Sequence, residues 1–362
     1  MDFFAMLAVA LGLAMLAGVN LYLTTFLTGI AVSLGKVTDA DLAGALEGFG
    51  HPAVVGVALG LLVLQFIIDK VPWVDSLWDS IHTFIKPAGG ALLALTSLGP
   101  DASPFTSALI GLLALAASLL THWIKTGTRL SINTSPEPFS NIAASLTEDL
   151  LVVGGALLLL HHPPIALPVF AAALALFIYL SPRVTRSICA TLWLIWKKVR
   201  VPASNQKPSS TTTDLPNKLS SAAEALLLDE FGSESYQVEW CARCVTGKMS
   251  GSQTICSNLF GTVIAIHERP QKLFFFGKRH LKPILEQLDL ADAEASQESL
   301  FLSEGIAIGS GERKFHLRFH RGQAELVEQL VDFLQEKKAK PSATLPELDP
   351  AETEEKDGDG SN

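Results

Sequence analysis

Asp75–Leu95 reads DSLWDSIHTFIKPAGGALLAL, and Ser140–Leu160 reads SNIAASLTEDLLVVGGALLLL. Each segment begins polar, climbs into apolar sequence and ends in Gly-Gly-Ala-Leu-Leu-x-Leu. Each is preceded by another apolar run. The first half of the chain therefore reads as a duplicated pair of membrane helices, with ionisable residues gathered where each pair turns. That points to a polytopic α-helical membrane domain with a two-fold internal repeat.

The two halves of the chain differ in composition. Residues 1–200 carry ten Lys/Arg and eleven Asp/Glu, thinly spread through long apolar runs. Residues 201–362 hold the remaining charge and are net acidic, much of it in a tail from Ala339 onward. An overall hydrophobic content of 49% averages a membrane-like half with a soluble-like one. An acidic tail argues for no basic partner and no nucleic acid. Four cysteines are too few for a disulfide scaffold in a chain of 362 residues. Met-Asp-Phe-Phe at the start lacks basic residues, and the apolar run behind it is too long for a signal core, so no cleaved leader is expected.

About six spans follow from a requirement of roughly 20 apolar residues per crossing. They are Phe3–Leu34, Pro52–Ile68, Pro87–Leu98, Phe105–Ile124, Ile142–Leu160 and Ile165–Leu180. The third is long enough only if its helix starts near Val74 and Pro87 merely kinks it. The first is too long for one straight crossing, and Gly18-Val19-Asn20 marks a candidate break. Lys70, Lys86, Lys125, Arg129, Arg183, Arg186, Lys197, Lys198 and Arg200 follow spans two, four and six, whereas only Lys36 follows the others. The positive-inside rule then places both termini on the cytoplasmic side of the inner membrane. Trp193 and Trp196 beside Lys197, Lys198 and Arg200 fit an interfacial anchor or an extension of span six.

Residues 1–200 form the expected membrane domain, 201–221 a linker, 222–338 a cytoplasmic domain and 339–362 a disordered acidic tail. In the cytoplasmic part, Ala222–Phe231 is helical in pattern. Leu259–His267, Lys272–Phe276, Ser299–Ile308 and Arg313–His320 read as strands. Gln323–Lys338 is an amphipathic helix. A small, mainly β, α+β domain closed by a helix suggests a pleckstrin-homology-like barrel.

Asp75, Asp79, His82 and Lys86 fall on one stripe of a helix. They are either charges in water on a helix lying at the interface, or the lining of an ion or proton path. Ser140 or Asn141 is a good helix cap. Glu148 and Asp149 follow two turns later, either in salt bridges to Lys125 or Arg129 or as ligands for a cation or proton. The exposed helix start at Asn133–Asn141 would instead favour an anion. Asn20, with Tyr22, Thr24, Thr25 and Thr28, either bonds between helices or lines a site at a broken helix. In the soluble half Lys278, Arg279 and Lys282 form one basic cluster. Lys314 and Arg318 lie on a basic strand face, and together these residues suit an anionic lipid headgroup. Cys241 and Cys244 form a CxxC that lacks the second half of a zinc site.

Gly18-Val-Asn-Leu-Tyr-Leu, the stretch Asp69-Lys-Val-Pro-Trp-Val-Asp-Ser-Leu-Trp-Asp-Ser-Ile-His-Thr-Phe-Ile-Lys-Pro and Asn133-Thr-Ser-Pro-Glu-Pro-Phe-Ser-Asn resemble the bacterial membrane family catalogued as domain of unknown function 4126. The likeness covers roughly residues 10–182. It implies a polytopic membrane protein and brings no activity, cofactor or ligand. No phosphate-cradling loop, nucleophile elbow or HExxH argues for an enzyme. The leading reading is a small repeat-built transporter or channel for an ion or solute, open to homo-oligomerisation. The alternative is a membrane-anchored module that binds lipid headgroups or protein. A third is a membrane enzyme acting on headgroups with Asp/His chemistry.

Overall fold

The computed structural model describes residues 3–37, 39–71, 73–133, 138–200, 218–232, 236–250, 255–269, 271–279, 282–290, 293–300, 302–310 and 313–339. The chain divides into two compact units, Met1–Arg200 and Val201–Asn362. Most of the expected linker (201–217) and acidic tail (340–362) lies outside the described residues.

The first unit is helical: α1 (Phe3–Ser33), α2 (Ala40–Ala45), a 3-10 turn at Glu47–Gly50, α3 (Pro52–Ile68), α4 (Val74–Ser97), α5 (Pro104–Ile132), α6 (Pro138–His161) and α7 (Pro163–Arg200). Local signals set the starts. His51 caps α3 ahead of Pro52, and Ser103 caps α5 ahead of Pro104, each side chain accepting a backbone N–H of the first turn. Among the described residues, α1, α5, α6 and α7 are long and apolar enough to cross a membrane. The helix expected to carry the third span does start at Val74 and continues through Pro87, although it is not among the four apolar enough to cross by composition. The segment after span six is no separate anchor: α7 runs unbroken past Pro182 to Arg200.

Two features organise this unit. First, α4 buries its polar stripe and turns its apolar face outward. Leu77, Ile81, Phe84 and Leu92 are exposed while Asp75, Asp79, His82 and Lys86 are inside. In lipid the solvent is apolar, so this inversion is the stable arrangement. Second, α1 is the central helix and it is broken. Asn20 has φ −142° and ψ 94°, well outside helical values. Its side-chain oxygen accepts the Leu23 N–H at 3.1 Å, so it caps the second half of α1.

The neighbours of α1 reverse order at that break. Before it, Met6, Leu7 and Leu98 pack on a cluster with Ala94 and Ile110. Gly12 then abuts Leu159, and Gly18 abuts Ser118 and Thr121. After it, Leu21 abuts Gly89, and Gly29 abuts Phe49 and Val55 at the start of α3. Further on, Ala45 lies beside Gly99, at the end of the bundle where Leu7 and Leu98 meet. Both halves of α1 thus lead back to one end, with Asn20 at the bend. Small residues permit the crowding: Gly90 of α4 sits against Ser118 of α5 and the Ala14 carbonyl of α1.

The second unit holds α8 (Ser221–Phe231), seven strands and α9 (Ala324–Ala339). The strands are β1 (Val238–Ser250), β2 (Phe260–Ile266), β3 (Lys272–Arg279), β4 (Lys282–Asp289), β5 (Glu294–Ser299), β6 (Ser303–Ser310) and β7 (Arg313–His320). They form one antiparallel sheet in the order β4-β3-β2-β1-β7-β6-β5. Strand β1 is shared. Val238–Val245 pairs with β2, and Val245–Ser250 pairs with β7 across a register shift after Thr246. Trp240, Val263, Phe275, Phe315 and Phe319 fill one face with Val327, Leu330 and Leu334 of α9. Ile264, Ile266, Phe274 and Phe276 fill the other with Leu227 and Phe231 of α8.

This sheet has more strands than the sequence pattern predicts. Strand β4 starts at Lys282, the last residue of the basic cluster, and its remainder has no expected element; the expected strand Ser299–Ile308 takes in the last residue of β5 and most of β6. Strand β5 (EASQES) is polar and largely exposed, so it carries no alternation to read.

Candidate functional site

A buried charged cluster occupies the end of the helical unit where α3 turns into α4 and α5 into α6. Its centre is α5, whose Ser118, His122, Lys125, Arg129 and Asn133 are all buried on one stripe facing the stripe of α4. Asp79 and Lys86 are both 0% exposed and form a 2.7 Å ion pair. Lys125 reaches three carboxylates: Glu148 at 3.3 Å, Asp69 at 3.5 Å and Asp79 at 3.9 Å. Arg129 grips Glu148 with two hydrogen bonds, from Nε at 2.9 Å and from Nη2 at 2.7 Å. Its Nη1 donates to the Asp69 carbonyl, the Asn141 carbonyl and Asn141 Oδ1.

The two turns clasp each other. Asn133, at the end of α5, donates to Asp75 Oδ1 (2.8 Å) and Ser76 Oγ (2.9 Å) at the start of α4. Asn141, at the start of α6, donates to the Asp69 carbonyl at the end of α3 (3.2 Å). At the break in α1, Asn20 donates to Asp149 Oδ1 at 2.9 Å. Tyr22 meets His82 Nε2 at 2.7 Å, and His82 Nδ1 faces the Trp78 carbonyl at 2.8 Å.

All eight residues expected at an ion or solute site, Asn20, Asp75, Asp79, His82, Lys86, Asn141, Glu148 and Asp149, therefore belong to one assembly. Glu148 has the salt bridges foreseen to Lys125 and Arg129. The charges of α4 lie inside protein, not in water. The loop 134–137, the greater part of the stretch weighed as an anion site, lies outside the described residues. Gln65, Asp69, His122, Lys125, Arg129 and Asn133 complete the assembly and were not foreseen as site residues. The α5 stripe at intervals of three and four was a readable signal for four of them.

Pairing is incomplete. Asp69 Oδ1, Asp75 Oδ2, Asp79 Oδ2, Gln65 Oε1 and Asn133 Oδ1 are buried without a hydrogen-bond partner. Each such acceptor carries a desolvation cost that a protein rarely tolerates without use. Among the described residues no group of three His, Cys, Asp or Glu side chains is placed to hold a metal ion.

The sites foreseen in the soluble unit are placed as follows. Lys278, Arg279 and Lys282 are exposed at the tip of the β3–β4 hairpin, with Arg279 opposite Lys282. Lys314 is exposed on β7, opposite Gly309. Arg318 is half-buried, and its Nη2 donates to the Thr246 carbonyl and to Asn258. Burial pulls its guanidinium below the usual arginine range. Cys241 and Cys244 are not brought together. Spacing of three on a strand sends them to opposite faces, Cys241 toward α8 and Cys244 into the α9-side core. Burial pushes the Cys244 thiol up to about 12 and raises Cys241 as well.

Residues 7–183 match the family described as Domain of unknown function (DUF4126), and over those residues the chain belongs to it. No curated protein matches the chain. A solved structure titled autoinhibited Vav1 is similar at 10% identity and a TM-score of 0.20, covering 87% of this chain and 54% of that one. The chain spans about half the length of that structure, and a likeness this faint carries no argument.

Proposed function

We propose that this DUF4126 member is a small repeat-built membrane transporter or channel, and that the cluster around Lys125 and Arg129 is its ion or solute site. One observation carries the reading. Five carboxylates (Asp69, Asp75, Asp79, Glu148, Asp149) and three cations (Lys86, Lys125, Arg129) gather at the bend of a broken central helix, with three carboxylate oxygens left without a donor. Holding helices together in lipid needs only small residues and hydroxyls, whereas buried charges each cost several kcal/mol. Broken helices bearing such charges mark transport sites. The reciprocal clasp of the two turns supports descent from a repeated hairpin.

For topology, the α3–α4 turn with Lys70 and the basic end of α7 with Lys197, Lys198 and Arg200 belong on the cytoplasmic side of a bacterial inner membrane. The fold-back of α1 supports five crossings, α3 to α7, with α1 entering and leaving on the other side. That arrangement puts the amino terminus outside, in place of the six spans and cytoplasmic amino terminus expected from hydropathy.

The test is flux. The full chain in liposomes should dissipate an imposed gradient of protons, monovalent cations or anions. Asp79→Asn and Glu148→Gln should each slow that flux at least tenfold. Liposomes tight to every ion, with or without the substitutions, overturn the proposal.

A second reading rests on the exposed Lys278, Arg279 and Lys282 on one hairpin tip of an antiparallel, helix-closed sheet, which supports a pleckstrin-homology-like headgroup binder. In nanodiscs, added anionic lipid should then slow hydrogen exchange in β3–β4. Unchanged exchange removes this reading.

A further inference from the structure

The cations and carboxylates of the cluster do not match in number, and the mismatch is orderly. Each cation has a carboxylate of its own: Lys86 takes Asp79 at 2.7 Å, Arg129 takes Glu148 at 2.7 Å, and Lys125 is shared between Glu148 at 3.3 Å and Asp69 at 3.5 Å. Two carboxylates remain, Asp75 and Asp149. Each is held by the amide of an asparagine: Asn133 donates to Asp75 Oδ1, and Asn20 donates to Asp149 Oδ1. An amide neutralises no charge. Counting Lys70, which lies in range of Asp149 without an ion pair to it, five carboxylates still exceed four cations, and a surplus negative charge at membrane depth is costly.

We infer that Asp75 and Asp149 are reversible proton-binding sites, so that the ion handled by the cluster is the proton. This deepens the transport reading and rests on it for the word transport, not for the proton sites themselves. The amide on Oδ1 leaves Oδ2 to carry the proton. Asp75 Oδ2 is buried, has no hydrogen-bond partner and lies 3.9 Å from Arg129 Nη1. Binding is a simple association: one carboxylate and one proton from water give one neutral carboxylic acid, and release reverses it.

The charged groups facing each site are few. Around Asp75 they are Arg129 from α5 and Asp79 one turn along α4. Around Asp149 they are Lys125 from α5, with Asp69 and Lys70 from the end of α3. A dehydrated metal cation is a poor alternative occupant. It would have to sit among Lys86, Lys125 and Arg129, and no group of three acidic or histidine ligands among the described residues is placed to coordinate it.

The test reads protonation directly. Full-length protein in lipid is stepped in pH, and infrared difference spectra are recorded in the C=O stretching region of protonated carboxylic acids, in H2O and D2O. Between about pH 8 and pH 6, above the range in which exposed carboxylates titrate, a deuterium-sensitive band that rises on acidification is expected, with about half its amplitude lost in Asp75→Asn and half in Asp149→Asn. Asp79→Asn, whose carboxylate has its own ammonium, should keep the band, with its rise displaced in pH because a negative charge one turn from Asp75 is lost. Wild-type protein without such a band overturns the inference even if no variant folds. A band lost in Asp79→Asn and kept in the other two also overturns it. Vesicles that pass sodium or potassium while the band is absent would sink the proton assignment and leave the transport reading standing.

Discussion

Replacing Arg129 by methionine removes a side chain with five hydrogen bonds to described residues of the membrane unit while keeping an apolar stem. Five hydrogen bonds vanish: two to Glu148, one to the Asp69 carbonyl and two to Asn141. Glu148 keeps only Lys125 at 3.3 Å. Removing one partner of a buried ion pair costs about 3–5 kcal/mol. The orphaned carbonyls add less than in water-soluble cores, since helices unfolded in a membrane find other partners, so we take about 4 kcal/mol for the whole. For a unit of this size that lowers the melting temperature by roughly 8–16 °C. Glu148→Gln in the Arg129→Met background removes the stranded charge and should recover at least about 2 kcal/mol of the loss. Thermal unfolding in one detergent, run on wild type, both single variants and the double variant, gives the coupling. A single variant that melts within about 2 °C of wild type, a shift worth under 1 kcal/mol, would refute the argument. So would a cycle additive to within about 0.5 kcal/mol.

Glycine positions give a contrast on the same assay. A side chain at Gly18 would strike Thr121 and the Ser118 carbonyl, so Gly18→Leu should cost about 3 kcal/mol or prevent folding, whereas Gly154, with open space around it, should accept alanine with no loss of stability. In the soluble unit, Cys244 has its thiol pushed up to about 12 by burial. A thiol reacts as thiolate, so at pH 8 a maleimide should label exposed Cys189 and leave Cys244 untouched until the protein is denatured; equal labelling of both would refute the burial.

The polar stripe of α4 is visible from residues 75, 79, 82 and 86 alone, but its direction is not. An amphipathic helix on a membrane surface and one buried inside out have the same pattern. What decides is the matching stripe on α5 from Ser118 to Asn133, which gives the charges of α4 partners inside the protein. The break in α1 is suggested by Gly18-Val19-Asn20. Its fold-back is not, because hydropathy continues unbroken on both sides and carries no direction. The edge strands β4 and β5 are hidden for a related reason: a strand with one exposed face and few apolar residues shows no period of two. The separation of Cys241 and Cys244, by contrast, follows from an odd spacing within one strand and was readable once that strand was accepted.

The depth of the cluster bears on the transport reading proposed above. Along α4, Asp75 to Lys86 is eleven residues, or about 16 Å at 1.5 Å per residue, which is about half of a 30 Å hydrocarbon core. Beyond Lys86 the polar path stops. Ala10 and Ala14 of α1, Ala94 of α4 and Ile110 and Ala114 of α5 close the bundle with apolar side chains. Gly90 lets Ser118 and the Ala14 carbonyl seal the level just past Lys86. A channel needs a wettable route on both sides of its site. Here one side is lined by charge, and on the other the polar path ends at apolar packing beside a groove lined by Leu21, Phe49, Val54 and Leu92, so on the transport reading passage requires that half to rearrange. The central helix α1 is broken at Asn20 beside that apolar half, and Asn20 is the residue that donates to Asp149. On the proposed reading, a change in the charge of Asp149 would alter its hydrogen bond to Asn20 at the break in α1, which would couple proton binding to the position of that helix.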